Sequence, residues 1–325
     1  MTGTPVHDGP GDRPQRKPAI AAVAYHDGAF VPLRDAQVPV STQALQYGTG
    51  VFEGIRAYVQ RSTGELSLFR AREHYERFLG GARTLHLDVG LDVKELAELT
   101  TELLRRSGLA EDSYVRPLAY KRSLMPGTPP GVQLRGVTDA LSVIAFAMGS
   151  YTDRSGIRCA ISSWRRPGGD VLPVRAKATG GYLNSALAVD EARASGCDDA
   201  ILLNAAGNVA EASTSNVFAV VRDRLVTPPV TAGLLEGITR DTVIRLAEDL
   251  GVRCEFADLD RHDLFTADEV FLTGTGSEVV PVTGIAGRAV GAGVPGPLAT
   301  RLMDAYQKLV RGDDPRHADW LLPVG

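Results

Sequence analysis

KATGGYLNSALAVDEARASGCDDAILLNAAGNVAEASTSNVFAVV, residues 177–221, sets polar, reactive side chains between clear structural punctuation. Lys177 stands between small residues and is followed by Thr179, Gly180 and Gly181, so its backbone can turn sharply and its amine is not crowded by neighbours. That suits a nucleophilic amine. From Tyr182 the apolar residues Leu183, Ala186 and Leu187 recur near a helical period, and Gly196 is the expected stop. Tyr182 is therefore placed at the start of a helix, close behind the lysine. Residues 200–203, a turn over 204–207 and residues 209–211 read as a hairpin, with 216–221 as a third strand that Pro228 and Pro229 end. Glu211 falls near a strand end, where a carboxylate can point into a pocket.

Composition limits what the rest can be. A chain of 325 residues with 44% apolar content can bury a substantial core and is expected to form two domains. A net charge of −4 argues against nucleic acid or an anionic membrane surface as partner, because both call for clustered excess Lys and Arg. Small metabolites are the better expectation. Cys159, Cys197 and Cys254 lie far apart with no CxxC, which suggests neither a disulfide framework nor a zinc site and fits a reduced, cytoplasmic setting. No apolar run reaches the roughly 20 residues that span a bilayer, and the N-terminus has no signal-like apolar stretch.

Outward from the opening stretch, residues 1–18 are rich in Pro, Gly and charge and read as a disordered tail. A hairpin over 20–33 follows, and then LQYGTGVFEGIRAY (45–58) gathers Tyr47, Phe52, Glu53 and Arg56 around three glycines whose spacing is not that of a dinucleotide loop. A strand edge with a glycine kink explains it as well. FRAREHYERFLGGARTL (69–85) is helical, with His74 and Arg77 on one face, where they read as a solvated pair. Residues 93–106 form a second helix, with Asp92 as its cap and Gly108 as its stop. In the strand SYVRPLAY (113–120), Tyr114 and Arg116 share a face, and an arginine among apolar neighbours should meet an anion. Residues 140–146 are another strand, and the loop 149–156 is the expected boundary between a unit at 19–148 and one at 157–325.

In the second half, LLEGITRDTVIRLAEDLG (234–251) is a helix whose Gly237, Ile238 and Thr239 can offer N–H groups and a hydroxyl to a phosphate. The strand 267–272 runs directly into TGTGSE (273–278), a loop of the kind that sets backbone donors at a pocket. GAGVPG (291–296) matches a dinucleotide fingerprint in letters only, since Pro295 sits where the helix should already be running. Its expected role is to lead into a helix over 297–310. The six histidines have no paired-ligand spacing, so no metal is expected, and no serine-hydrolase elbow appears. A lysine in a small-residue turn, a glutamate, a nearby tyrosine, arginines and a helix N-terminus together suit an aldehyde cofactor bearing a phosphate, and pyridoxal 5'-phosphate fits each of them.

Seven segments carry a resemblance: QYGTGVFEGIRAY, REHYERF, YVRPLAY, KATGGYLNSALA, EASTSNVF, LLEGITRD and DEVFLTGTGSEVVPV. In that order, over roughly residues 20–322, they resemble the fold type IV pyridoxal-phosphate aminotransferases, and within them the branched-chain amino acid aminotransferases. The resemblance implies an α/β (α+β) enzyme with a small N-terminal domain, a larger C-terminal domain of mixed, barrel-like sheet, and the cofactor between them. It implies that Lys177 forms the Schiff base and carries the proton in a ping-pong transfer, that Tyr182 binds the cofactor's O3' and that Glu211 faces the ring nitrogen. For the phosphate it implies Arg77, Ile238, Thr239 and Thr275. For the substrate it implies Tyr47, Phe52, Arg56, Tyr114, Arg116 and Tyr151, with the backbone of Thr275 and Gly276 seating the α-carboxylate. Arg116 would pair with the side-chain carboxylate of glutamate, while apolar walls accept leucine, isoleucine or valine. Substrates would be amino acids and 2-oxo acids, in a homodimer or larger homo-oligomer whose second subunit completes the pocket.

Two departures stand out: Ala147-Met148 where the family often has Pro-Trp, and Glu236 beside the phosphate seat. Other donors within the fold, such as D-amino acids or amines, remain alternatives, as does aminodeoxychorismate lyase. A non-catalytic relative would be expected to lack Lys177 or Glu211, and both are present.

Overall fold

A computed structural model of the chain describes residues 20–122, 131–149 and 154–325. The expected tail and Tyr151 lie outside them. In chain order the elements are β1 (Val23–His26), β2 (Ala29–Pro32), α1 (Gln43–Tyr47), β3 (Gly50–Phe52), β4 (Ile55–Val59), β5 (Leu66–Phe69), α2 (Ala71–Thr84), α3 (Val93–Ser107), β6 (Ser113–Lys121) and β7 (Asp139–Ala147). Then come β8 (Ile157–Arg165), α4 (Tyr182–Ala194), β9 (Asp199–Leu203), β10 (Val209–Ala212), β11 (Asn216–Val221), β12 (Arg224–Thr227), α5 (Ile238–Asp249) and β13 (Cys254–Phe256). The chain ends with α6 (Arg261–Thr266), β14 (Glu269–Gly274), β15 (Glu278–Ile285), β16 (Arg288–Ala289), α7 (Pro297–Val310) and β17 (Leu321–Pro323).

Among the described residues two sheets form, one of eight strands ordered β17-β5-β4-β6-β7-β1-β2 with β3 on β6, and one of nine ordered β10-β9-β8-β15-β14-β11-β12-β13 with β16 on β15. The second mixes parallel pairs, β8 with β9 and β15 and β12 with β13, into an otherwise antiparallel ladder. Chain ends do not respect the expected partition, because β17 returns to pair antiparallel with β5 in the first sheet. One core lies between the first sheet and α2 and α3, built on Tyr75, Phe78, Leu96 and Leu103. Another packs α5 and α7 on the second sheet around the stacked pair Phe218 and Phe271.

Local rules account for several of these elements. At α3, Asp92 accepts from Glu95 N while the Glu95 side chain accepts from Asp92 N, a reciprocal cap of the kind worth about 1 kcal/mol, and Gly108 stops the helix in the left-handed region. The glycine-rich run that resembles a nucleotide loop leads into α7 at Pro297, and Glu269 caps that helix through Leu298 N and Ala299 N. One expectation fails. The prolines at 228 and 229 do not end the third strand: the chain reverses at Arg222 and Asp223, both with positive φ, into the further strand β12. Neither residue is a glycine, so the usual hairpin signal is missing. Also among the described residues, no helix is long and apolar enough to cross a membrane.

Candidate active site

The lysine turn is fixed by contact with the first sheet. Thr179 Oγ1 and Gly180 N both donate to Gly48 O, at 2.8 and 3.2 Å, and Phe52 N donates to Lys177 O at 3.0 Å. A Cβ on Gly48, whose φ is +67°, would lie 2.6 Å from Gly180 Cα. The glycines therefore serve the close approach of two distant segments rather than a freely turning backbone, a correction to their expected role. Docking of this turn on β3 places Lys177 Nζ over the rings of Phe52 and Tyr182, 5.2 and 5.5 Å from their centroids.

That amine opens on a cavity. Its lining includes Arg77, Lys177, Tyr182, Glu211, Ile238, Thr239 and Thr275, the full set of cofactor residues expected from the sequence. Burial pushes the Lys177 amine below its usual range, and the Arg77 charge acts in the same direction while Glu53 opposes it. A lowered amine pKa enlarges the neutral, nucleophilic fraction near neutrality. The Tyr182 phenol is raised by burial and then by Glu211, so it stays protonated and can donate.

Glu211 is buried on β10, and its environment was not legible in the sequence. Arg166 Nη2 lies 2.7 Å from its Oε1, while Oε2 accepts from Leu235 N at 3.1 Å and Asn216 Nδ2 at 3.3 Å. Burial raises the Glu211 carboxyl, and Arg166 is the chief opposing influence. Arg166 follows a second arginine and precedes Pro167-Gly168, a context that looks like solvated loop.

The phosphate end is equally built. His74 is buried and Arg77 half-buried rather than solvated, because both face Glu53, which is 0% exposed. Arg77 Nε and Nη2 donate to the two Glu53 oxygens at 2.7 and 2.9 Å, and His74 Nδ1 lies 2.9 Å from Oε2. An ionised carboxylate only accepts, so that nitrogen carries the proton. Burial works against the charged form of Glu53, but Arg77 and His74 more than offset it and hold the carboxyl far below its usual range. Burial also lowers His74 and keeps it neutral. Arg77 Nη1 then donates to Glu236 O at 2.7 Å, while the Glu236 side chain turns outward to Arg175, which accounts for an acid beside an anion seat. Gly237 caps α5 against Asn216, where a Cβ would meet Oδ1 at 2.0 Å, and Ile238 and Thr239 line the cavity at the start of the helix, where backbone N–H groups have no intrahelical acceptor. Thr273 Oγ1, on a cavity-lining residue, is buried without a protein partner.

Of the expected substrate residues, three gather beside the amine. The Arg116 guanidinium lies 4.5 Å from the Phe52 centroid and its Nη2 donates to Tyr114 OH at 3.0 Å, while Arg116 Nε is buried without a partner. Gly54 makes room for that phenol, since a Cβ there would lie 1.8 Å from it. Arg56 is not brought to the cavity. It is 1% exposed, sits over the Tyr58 ring and lies 3.9 Å from both Asp112 and Glu278, which balance its buried charge. Tyr47 is 41% exposed on α1 and does not line the cavity, nor does Gly276.

An amine, an anion seat at a helix start, a buried carboxylate and an unused hydroxyl, all on residues that line one cavity, fit pyridoxal phosphate. Residues 50–285 match the family described as "Amino-transferase class IV", and the chain belongs to that family. It is a pyridoxal-phosphate-dependent aminotransferase. A "Probable branched-chain-amino-acid aminotransferase" of Aquifex aeolicus is 44% identical, covering 93% of this chain and 96% of the relative. The branched-chain-amino-acid aminotransferase of Escherichia coli is 36% identical over 91% of this chain and 96% of its own. The crystal structure of the Thermoproteus uzoniensis branched-chain aminotransferase with norvaline superposes with a TM-score of 0.88 at 42% identity, covering 93% of this chain and 99% of the other. That of the Thermobaculum terrenum branched-chain amino acid aminotransferase in its PLP form gives 0.88 at 35% identity, covering 94% and 99%.

Proposed function

We propose that this chain is a branched-chain-amino-acid aminotransferase that moves an amino group between leucine, isoleucine or valine and 2-oxoglutarate in two half-reactions. The single observation that carries the reading is that Lys177, Glu211, Arg77 and the first residues of α5 line one cavity. When bound, pyridoxal phosphate supplies an aldehyde and a ring that accepts the electron pair released at the substrate's α-carbon. Lys177 Nζ would hold the cofactor through that aldehyde and would carry the proton at the substrate's α-carbon. Glu211 stays an acceptor toward the ring nitrogen, and Tyr182 donates to the ring oxygen. The N–H groups of Ile238 and Thr239, with Arg77 and Thr275, neutralise the phosphate.

Selectivity rests on Phe52, Tyr114 and Arg116. The partnerless Arg116 Nε beside apolar ring faces suits a site that takes either an aliphatic side chain or a carboxylate. Arg116→Ala should lower kcat/KM for glutamate and 2-oxoglutarate by about 10- to 100-fold, the loss of a charge-assisted hydrogen bond of about 1.5–3 kcal/mol, and lower that for leucine much less. Equal losses would place the carboxylate elsewhere. The exposed ring of Tyr47 suits a pocket completed by a second copy of the chain, in a cytoplasmic homodimer or larger assembly. The donor assignment is tested by a panel of L-amino acids, D-amino acids and amines with 2-oxoglutarate as acceptor. Highest kcat/KM for leucine, isoleucine and valine is expected. A second reading, another donor, draws on Met148 in place of the family's tryptophan: methionine fills space less rigidly and would admit other side chains.

A further inference from the structure

Glu211 carries a charge in a buried place, and the sheet around it is arranged so that one arginine meets it. Arg165 at the end of β8 pairs with Leu203 of β9, and Arg166 N donates to Leu203 O at 2.9 Å. Leu202, the preceding residue of β9, pairs with Glu211 of β10. The register of β8 on β9 shifts between Ile161 and Arg165, and that of β10 on β9 shifts between Val209 and Glu211. Such irregularities re-aim side chains, and here two of them flank a single ion pair. Arg166 Nη2 reaches Glu211 Oε1 at 2.7 Å, while its Nε is buried with no partner.

We propose that Arg166 is a positioning residue for transamination: its contact with Oε1 keeps Glu211 a carboxylate, so that the proton shared with the cofactor's ring nitrogen resides on the nitrogen. This rests on the proposed cofactor orientation. The charged and polar groups acting on Glu211 are Arg166 beyond β8, Leu235 N before α5, Asn216 on β11, Lys177 in its turn and Arg77 on α2, with the Tyr182 phenol on α4 also interacting with it, and of the charged groups Arg166 opposes burial most strongly. Without Arg166 the buried acid gains a proton and becomes a donor, and a neutral acid facing the ring leaves the nitrogen without its proton. Leu235 N and Asn216 would still fix Oε2, so the side chain keeps its place while its charge state changes.

The test uses Arg166→Met and Arg166→Lys in the full-length chain. In cofactor-free protein with 13C-labelled glutamate carboxyls, the Glu211 signal, identified by its loss in Glu211→Gln, should titrate about one pH unit or more higher in Arg166→Met than in wild type. Arg166→Lys should return most of that shift. In loaded protein, 15N-labelled pyridoxal phosphate should report a protonated ring nitrogen in wild type and a largely unprotonated one in Arg166→Met, with the dissociation constant raised on the order of tenfold. Should the methionine variant fail to fold, Arg166→Gln, uncharged but still a donor, must show the same upward titration. An unchanged Glu211 midpoint or an unchanged ring-nitrogen signal in a folded variant overturns the proposal. Wild-type protein that takes up no pyridoxal phosphate instead overturns the cofactor reading beneath it.

Discussion

Lys177→Ala is expected to abolish the visible absorption that wild-type protein gains with pyridoxal phosphate, and to lower transamination by about 10⁴-fold or more. A positioned general base contributes up to about 10⁴-fold alone, and here the covalent attachment of the cofactor goes with it. Among the described residues no other lysine lines the cavity, so no second amine can take over. The fold should survive, because the contacts that dock the turn, Phe52 N on Lys177 O and Thr179 Oγ1 on Gly48 O, do not involve the lysine side chain. Unchanged circular dichroism with lost colour is the expected pair of readings. A variant that stays yellow with the wild-type band would mean that another amine holds the cofactor. In wild-type protein, capture of the aldehyde should persist to lower pH than for a solvated lysine, because burial depresses the Lys177 amine.

What the sequence made legible depends on how local each signal is. The capping box of α3, the Asn204–Gly207 turn before β10 and the Gly296-Pro297 entry to α7 are decided within a few residues, and all appear where the pattern puts them. The reversal at Arg222-Asp223 is just as local but lacks a glycine, so β12 was absorbed into a longer strand and loop. The site divides in the same way. Lys177, Tyr182 and Thr239 sit in motifs whose neighbours announce them. His74 and Arg77 look like solvated helix residues until Glu53, from a distant strand connection, is packed beneath them. Likewise nothing near Gly48 says that Gly180 will press against it, or that Arg166 will meet Glu211 across β9. These are contacts between segments that a linear pattern does not join.

Glu53→Gln should be the most damaging substitution for stability at neutral pH. The amide would keep the shape of the side chain but bring an N–H donor toward Arg77 and His74, which already donate to both Glu53 oxygens. Arg77 would then be buried without its counter-charge, at a cost of about 3–5 kcal/mol. The sign of its pH dependence follows from the depressed folded pKa of Glu53. Stability from such a group is fully present above the unfolded value of about 4.3 and is lost as pH falls below it toward the folded value. Denaturation midpoints of cofactor-free protein should therefore differ most between wild type and Glu53→Gln near pH 7 and start to narrow only below about pH 4, as the unfolded-state carboxyl takes up its proton. Pyridoxal phosphate should also bind the variant more weakly at neutral pH, since the guanidinium that Glu53 aims would be free to leave the phosphate seat. Equal midpoints at pH 7 would show that Arg77 finds another counter-charge, and a gap that persists undiminished into acid would show that its origin is packing rather than the ionised carboxylate.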